Sequence, residues 1–154
     1  MKTLIISIGK TEPAYLNEGF AVYEKRLKHY LNLEVKWLTD KKIADRTLQV
    51  NAQNELILNE IEDADWLVLL DENGKSYTSV SFATQIQQWM NMGKKRLVFV
   101  IGGAYGFNDS LRKRANATLS LSGMTFSHQM VRLFMIEQLY RAMTILKGEN
   151  YHHE

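Results

Sequence analysis

The sequence predicts an α/β domain in which a mostly parallel sheet is covered by helices on both faces. Short apolar segments typical of strands alternate with longer segments whose apolar residues recur every three or four positions. The alternation holds along the whole chain, which favours parallel strands joined by helices. Ligands of such sheets bind beyond the carboxyl ends of the strands, which are here Gly9, Asp71, Gly102 and Ser122.

The first half of the chain supplies two strands and two helices. Residues 3–8 are predicted as an apolar, β-branched strand that ends at Gly9. The next helix has one apolar face, made of Leu16, Phe20, Tyr23, Leu27 and Tyr30. Residues 33–38 alternate between apolar and polar side chains, as in a second strand. A polar helix is predicted over residues 44–62, and its expected inward-facing residues are Leu48, Ala52, Leu56 and Ile57.

The middle of the chain contains two strands that are expected to be buried on both faces. Residues 66–70 and 97–101 are apolar without alternation, which is typical of central parallel strands. The sequence Asp-Glu-Asn-Gly at residues 71–74 predicts a turn after the first of them. Between the two strands lies a helix with Phe82, Ile86, Trp89 and Met90 on one face, Thr78 or Ser79 as its N-cap and Gly93 at its end.

The last third of the chain adds a short helix, a strand and a long helix. The predicted elements are a short helix that is capped by Asn108 or Asp109 and ends at about Ala115, a strand over residues 118–121 and a helix over residues 128–147. Ser127 is expected to cap the long helix, and Gly148 to close it. An apolar face typical of a core or a dimer interface runs along this helix through Val131, Phe134, Met135, Leu139 and Met143.

The composition excludes several classes of protein and site. The 154 residues are expected to form one domain, 1–154. Because there is no cysteine, disulfides, thiolate zinc sites and cysteine nucleophiles are excluded. No apolar run approaches the roughly 20 residues of a membrane span, and the apolar run at residues 4–8 is too short for a signal peptide. No His-x-x-x-His spacing indicates a metal site. We therefore expect a cytoplasmic protein without membrane or metal, whose net charge of +2 permits a nucleic-acid partner.

Of two glycine segments, one is a candidate for contact with a ligand and the other is rejected as a phosphate loop. Residues 101–106 (Ile-Gly-Gly-Ala-Tyr-Gly) directly follow a buried strand, where paired glycines let a ligand approach the backbone. Their G-G-x-x-G spacing differs from that of dinucleotide-binding loops, so a tight turn without a ligand is the alternative. Gly74-Lys75-Ser76 resembles the end of a phosphate loop, but Leu69 stands where that motif requires glycine.

Further candidates lie around the last helix. Residues 121–126 join strand and helix and are suited either to wrap a flat ring or to serve as an ordinary loop. His128 and Arg132 share a helix face, and Glu137 with Arg141 has the spacing of a surface ion pair. The C-terminal tail, residues 149–154, carries His152 and His153, and a histidine there is a candidate proton acceptor or a group that recognises a base.

Several of these segments occur together in one known family. They are Leu69-Leu70-Asp71, Ile101-Gly102-Gly103, the run from Leu119 to Phe126, His128-x-x-x-Arg132, the run from Glu137 to Ala142, and Tyr151-His152. In this combination the chain resembles, along essentially its whole length, the ribosomal RNA large subunit methyltransferase H (RlmH) family. That family is a small branch of the SPOUT methyltransferases.

The resemblance implies a fold, a reaction and partners. The expected fold is a SPOUT α/β knot, in which the C-terminal segment threads a loop to make a trefoil, and the expected assembly is a homodimer. The expected reaction is methyl transfer from S-adenosyl-L-methionine to N3 of a pseudouridine in helix 69 of 23S rRNA, within the assembled 70S ribosome. Because a sulfonium methyl is already activated, no metal is needed, and the absence of cysteine argues against methylation at C5 of a pyrimidine.

The resemblance also implies roles for individual residues. The cofactor is expected to contact Leu70, Gly102, Leu121, Ser122, Gly123, Met124, Thr125 and Phe126. RNA is expected to contact His128 and Arg132. The expected catalytic residues are His152, Arg141 and Tyr151. Either His152 accepts the N3 proton as a base, or Arg141 stabilises the developing anion as a cation.

Two positions depart from the family pattern. Ser127 and Asn150 stand where relatives often have proline, which affects backbone rigidity rather than reactive groups.

Three other functions stay open. One alternative is a SPOUT methyltransferase with another target, either a ribose 2′-hydroxyl or a different base. The others are a flavodoxin-like module that binds FMN or a nucleotide without catalysis, and a structural factor that binds ribosomes without a cofactor.

Overall fold

The computed structural model describes residues 1–153 and has the strand–helix alternation that the sequence predicts. Its elements are, in order, β1 (Lys2–Ile8), α1 (Ala14–Leu27), β2 (Asn32–Leu38), α2 (Arg46–Glu60), β3 (Trp66–Ser76), α3 (Ser79–Met90), β4 (Arg96–Ile101), α4 (Asp109–Arg114), β5 (Ala117–Ser120) and α5 (His128–Leu146). Apart from β3, the predicted strands begin and end within one residue of those in the structure.

The strands form one parallel sheet in the order β2-β1-β4-β3-β5, which confirms the predicted fold class. Helices α1, α3 and α5 cover one face, and α2 and α4 cover the other. Side chains of the central strand β4 alternate between the two cores, since Leu97 and Phe99 belong to the first and Val98 and Val100 to the second. A strand whose two faces are both buried has the continuous apolar sequence observed here.

Three helices begin at side-chain caps that the sequence analysis had identified. In Thr78, Asn108 and Ser127, a side-chain oxygen accepts a hydrogen bond of 3.0–3.2 Å from the backbone N–H three residues later. These bonds satisfy amide groups that have no partner within the helix, and each contributes about 1 kcal/mol. The structure thereby resolves the alternatives left by the sequence in favour of Thr78 and Asn108.

The inward face predicted for α2 is partly wrong. Ile57 is fully buried, whereas Leu48 is 59% exposed. The other buried side chains of this helix are the amides of Gln53 and Asn54. Asn54 Oδ1 accepts a hydrogen bond of 2.9 Å from the backbone N–H of Asn108, so this polar residue fastens the segment after β4. Apolar periodicity misplaced the face because it gives no weight to amides that bind a neighbouring backbone.

The turn predicted at residues 71–74 is wrong, because β3 continues through them to Ser76. The pairing of β3 with β5 is irregular there, since both Leu70 and Lys75 pair with Leu119. Gly74 lies within this irregularity, and a Cβ at Gly74 would lie 2.7 Å from the backbone nitrogen of Leu119. This glycine therefore permits a close approach of two strands and not a reversal of the chain.

We expect Gly74→Ala to destabilise the fold by about 1–3 kcal/mol, because backbone atoms of β5 cannot move aside as a flexible side chain can. The measurement is the urea midpoint followed by circular dichroism. Gly123→Ala is the matched control, since a Cβ at Gly123 meets no heavy atom within 4 Å. Equal midpoints for the two variants would show that the strands tolerate a side chain at this position.

None of the helices within residues 1–153 has both the length and the apolar character that crossing a bilayer requires. The same residues contain no group of three or more His, Cys, Asp or Glu side chains arranged to hold a metal ion.

Candidate functional site

A cavity of about 370 Å³ opens at the carboxyl ends of β3, β4 and β5. Its volume lies within the range of sites for small molecules. Seven of the eight residues expected to contact the cofactor line it: Leu70, Gly102, Leu121, Ser122, Met124, Thr125 and Phe126. The eighth, Gly123, is exposed and does not line the cavity. Of the four strand ends singled out from the sequence, all but Gly9 contribute to the lining.

The loop between β5 and α5 forms one wall of the cavity and is held by hydrogen bonds within itself. Ser120 Oγ donates to the carbonyl oxygen of Ser122 at 2.9 Å, and Ser122 Oγ accepts from the backbone N–H of Met124 at 3.0 Å. Beyond them, the ring of Phe126 packs against that of Phe134 on α5, with 4.9 Å between the centroids. These contacts fix the loop's shape before any ligand binds.

The glycine loop, residues 102–106 after β4, forms another wall of the cavity. A Cβ at Gly102 would lie 2.9 Å from the ring of Phe107, and one at Gly103 would lie 2.9 Å from the amide oxygen of Gln53. Gly106 has a φ of +75° and donates a backbone hydrogen bond of 3.2 Å to Gly103. The loop is therefore a tight turn, and its residues also line the cavity.

Sequence reasoning assigned no ligand role to four charged or aromatic residues of the cavity, namely Arg46, Asp71, Tyr105 and Arg112. Arg112 Nη1 donates a charge-assisted hydrogen bond to the carboxylate of Asp71, and both side chains line the cavity. Arg46 and Tyr105 line it as well. The sequence identifies Asp71 as a strand end and as part of Leu69-Leu70-Asp71 but gives it no role. No spacing in the sequence links the other three, which come from α2, the glycine loop and α4.

The two residues expected to contact RNA lie in different environments. His128 lines the cavity, and burial together with the nearby charge of Arg132 lowers the pKa of its imidazole. Arg132 is only 1% exposed and donates to the carbonyl oxygen of Ile8 at 2.5 Å and to Thr11 Oγ1 at 2.9 Å. Its guanidinium joins α5 to the end of β1 and stands 5.3 Å from the centroid of the Trp37 ring, so in this structure it is held inside the chain and does not line the cavity.

The three expected catalytic residues form one cluster around Glu137, which sequence reasoning had considered only as a surface partner of Arg141. Glu137 Oε1 accepts hydrogen bonds from Arg141 Nε at 3.1 Å and Nη2 at 2.6 Å, and from Tyr151 Oη at 2.9 Å. Arg141 Nη1 lies 3.1 Å from His152 Nδ1. Hydrogen bonds to Glu137 raise the pKa of Arg141, which keeps this guanidinium charged.

The tail that carries Tyr151 and His152 is held against α1 and α5. Tyr30 Oη donates to Glu149 at 2.6 Å, and this bond raises the pKa of Tyr30 to about 12. Tyr151 Oη lies 3.3 Å from Tyr23 Oη, and burial together with these hydrogen bonds raises the pKa of Tyr151. The tail is thus fixed through the side chains of Glu149, Tyr151 and His152. Glu154 lies outside the described residues.

The structure does not bring this cluster to the cavity within one chain. None of Glu137, Arg141, Tyr151 and His152 lines the cavity, whereas His128 at the start of the same helix does. Arg141 lies thirteen positions after His128 in the chain, which corresponds to about 20 Å along a helix axis. The two halves of the candidate site therefore lie at opposite parts of α5.

Comparison with known proteins gives one consistent family. A family model described as "Predicted SPOUT methyltransferase" matches residues 1–152. The chain is 51% identical to Ribosomal RNA large subunit methyltransferase H of Christiangramia forsetii, with 99% of each chain aligned. It is 52% identical to the protein of the same name from Cytophaga hutchinsonii, over 99% of this chain and 100% of that one. A relative with this name from Trichlorobacter lovleyi is 44% identical over 99% of this chain.

Proposed function

The chain belongs to the SPOUT methyltransferase family, in its RlmH branch, and from this premise we propose that it methylates ribosomal RNA with S-adenosyl-L-methionine as the methyl donor. We propose N3 of a pseudouridine in helix 69 of 23S rRNA, within the assembled 70S ribosome, as the methylated atom. One observation carries the proposal: the cavity at the carboxyl edge of the sheet is lined by the residues that the family resemblance assigns to the cofactor.

The side chains of the cavity fit S-adenosyl-L-methionine in their chemistry. Leu70, Leu121 and Phe126 provide apolar surface for an adenine ring, while the backbone of the surrounding loop provides hydrogen-bonding groups. Asp71 and Arg112 supply the opposite charges that match the amino and carboxylate groups of its methionine portion. When bound, the cofactor supplies a methyl group that its sulfonium has already activated. The chain's own task is then to hold the base and stabilise its anion.

The cluster on α5 supports a specific role for His152. A guanidinium has no acceptor, so Arg141 Nη1 donates to His152 Nδ1 and the proton of the neutral imidazole lies on Nε2. We therefore assign His152 as a hydrogen-bond donor, through Nε2–H, to a carbonyl oxygen of the base as charge develops there. The N3 proton then leaves to solvent, and Arg141 holds the imidazole in this tautomer. The sequence left open a base at His152 or a cation at Arg141. This geometry supports stabilisation of the anion, with His152 as the donor and Arg141 behind it.

Because the cluster and the cavity are separated in one chain, we propose that a homodimer places the tail of one chain at the cavity of its partner. Exposed apolar side chains suited to such a contact are Tyr15 at 67% exposure, Val22 at 47% and Phe134 at 37%. The first two lie on α1 and the third on α5, which pack against each other. A single domain over residues 1–154 with a C-terminal trefoil knot completes the proposed architecture.

The proposal is tested by calorimetric titration with S-adenosylhomocysteine, combined with the solution mass. We expect micromolar binding to a dimer, followed by methylation of assembled ribosomes that lack the modification, with the modified nucleotide identified by mass spectrometry of 23S rRNA fragments. FMN serves as the control ligand. Binding of FMN without binding of S-adenosylhomocysteine would contradict the proposal and favour a flavodoxin-like module.

A further inference from the structure

We propose that Arg46 and Tyr105 form a stacking platform for an unpaired nucleotide of the RNA substrate, an inference that rests on the proposed function. Both side chains line the cavity. The guanidinium carbon of Arg46 stands 4.3 Å from the centroid of the Tyr105 ring, which is the geometry of a cation–π pair. Planar groups of this kind are the surfaces on which proteins stack unpaired bases.

The platform is exposed, and a turn presents it. Tyr105 lies between Gly103 and Gly106, whose backbones bridge to each other, and its side chain is 49% exposed. A half-exposed ring contributes little to the core, and the guanidinium of Arg46 lies over it within this chain. A nucleotide stacked on the Arg46–Tyr105 platform would lie beside the cavity in which we place the methyl donor.

The platform is anchored although its two members come from different elements. Gln53 packs on Gly103 and donates to Asp40 Oδ1 at 2.9 Å, which links the glycine loop to the segment before α2. Asn108, at the other end of the glycine loop, donates through its side chain to Asn51 Oδ1 at 3.0 Å. Such anchoring lowers the entropic cost of binding a flexible RNA loop.

The charges around the platform indicate a polymeric anion. Lys41 and Lys42 precede Arg46, and all three side chains are exposed. Among residues 1–153, none of the three forms a salt bridge within 4.0 Å, whereas the carboxylate of Asp45 caps α2. Neither lysine lines the cavity, so a ligand that touches both the lysines and the platform must extend beyond it. Because the cofactor would fill the cavity itself, the RNA backbone is the partner that fits.

The test compares ribosome and cofactor affinities of Tyr105→Ala and Arg46→Ala in the full-length enzyme. We expect kcat/KM for unmethylated ribosomes to fall about ten- to a hundredfold through a higher KM, with kcat and the Kd for S-adenosylhomocysteine unchanged. Tyr105→Phe, which keeps the ring, should retain the wild-type KM. A weaker Kd for S-adenosylhomocysteine with an unchanged ribosome KM would overturn the proposal and make the pair a lid on the cofactor.

The lysines are tested through the salt dependence of ribosome binding. The double variant Lys41→Gln/Lys42→Gln should reduce the slope of log Kd against log salt by about one to two. Lys94→Gln/Lys95→Gln removes the same charge at the other end of the sheet, before β4, and should leave the slope unchanged. Equal slopes for the two double variants would contradict an RNA contact at Lys41 and Lys42. If the wild-type chain neither binds S-adenosylhomocysteine nor methylates ribosomes, the proposed function fails first, so the two failures are distinguishable.

Discussion

Replacing His152 with alanine is expected to lower kcat for ribosome methylation by about 10²–10³-fold, the usual effect of removing one donor to a developing anion. The Kd for S-adenosylhomocysteine should not change, because His152 is assigned to the base, whereas the residues assigned to the cofactor are Leu70, Gly102 and those of the loop after β5. The measurement is single-turnover methylation at saturating cofactor. His153→Ala is the matched control, since His153 is exposed and makes no side-chain hydrogen bond among residues 1–153.

Two conservative variants separate the donor role of His152 from a base role. In His152→Gln the side-chain amide can take the place of Nε2–H, whereas in His152→Asn it reaches only the position of Nδ1. We expect the glutamine variant to retain more activity than the asparagine and alanine variants, because a donor is needed and a proton acceptor is not. Equal losses in all three variants would contradict the donor role and restore His152 as the general base.

The architecture was predictable because each strand and most helix ends are marked by residues that lie close together in the sequence. Period-two and continuous apolar segments identified all five strands, and the glycines and capping residues marked most of the helix ends. The two errors of the prediction have one physical origin. Asn54 and Gly74 are placed by backbone neighbours that are distant in sequence, namely Asn108 after β4 and Leu119 in β5, and no local pattern indicates such neighbours.

Residues of the candidate site were predictable only where they belong to a sequence motif of the family. The residues around Leu121 came from resemblance to a family, and the structure then places most of them around one cavity. The environment of Arg132 was not predictable, because a helical spacing of four does not distinguish a buried guanidinium from an exposed one. Glu137 was missed as the centre of the tail cluster, since its third hydrogen bond comes from Tyr151, fourteen residues away.

The largest expected loss of stability lies at the other end of the sheet from the cavity, where Asp65 and Arg96 form a buried ion pair. Asp65 is 2% exposed and accepts from Arg96 Nε at 2.7 Å, from Arg96 Nη2 at 2.5 Å and from the backbone N–H of Glu62 at 2.7 Å. Asp65→Ala removes the buried carboxylate that pairs with Arg96, whose guanidinium keeps only the carbonyl oxygen of Glu60 at 3.0 Å and the exposed carboxylate of Glu62 at 3.5 Å. The loss should be about 3–5 kcal/mol, measured from urea unfolding. Asp63→Ala, two residues earlier and exposed, is the control and should change stability by less than about 0.5 kcal/mol.

The pH dependence of the same variant tests the cause of the loss. Burial raises the pKa of Asp65, but hydrogen bonds from Arg96 and Glu62 and the nearby positive charges outweigh it, so the pKa in the folded state lies below the ordinary 3.8. A carboxyl with a lowered pKa stabilises the fold fully above its unfolded pKa and loses that contribution as pH falls through its folded pKa. The stability difference between wild type and Asp65→Ala should therefore be constant from neutral pH to about pH 5 and shrink below pH 3.8. A difference that stays constant down to pH 2 would mean that lost packing, and not the ion pair, accounts for the effect.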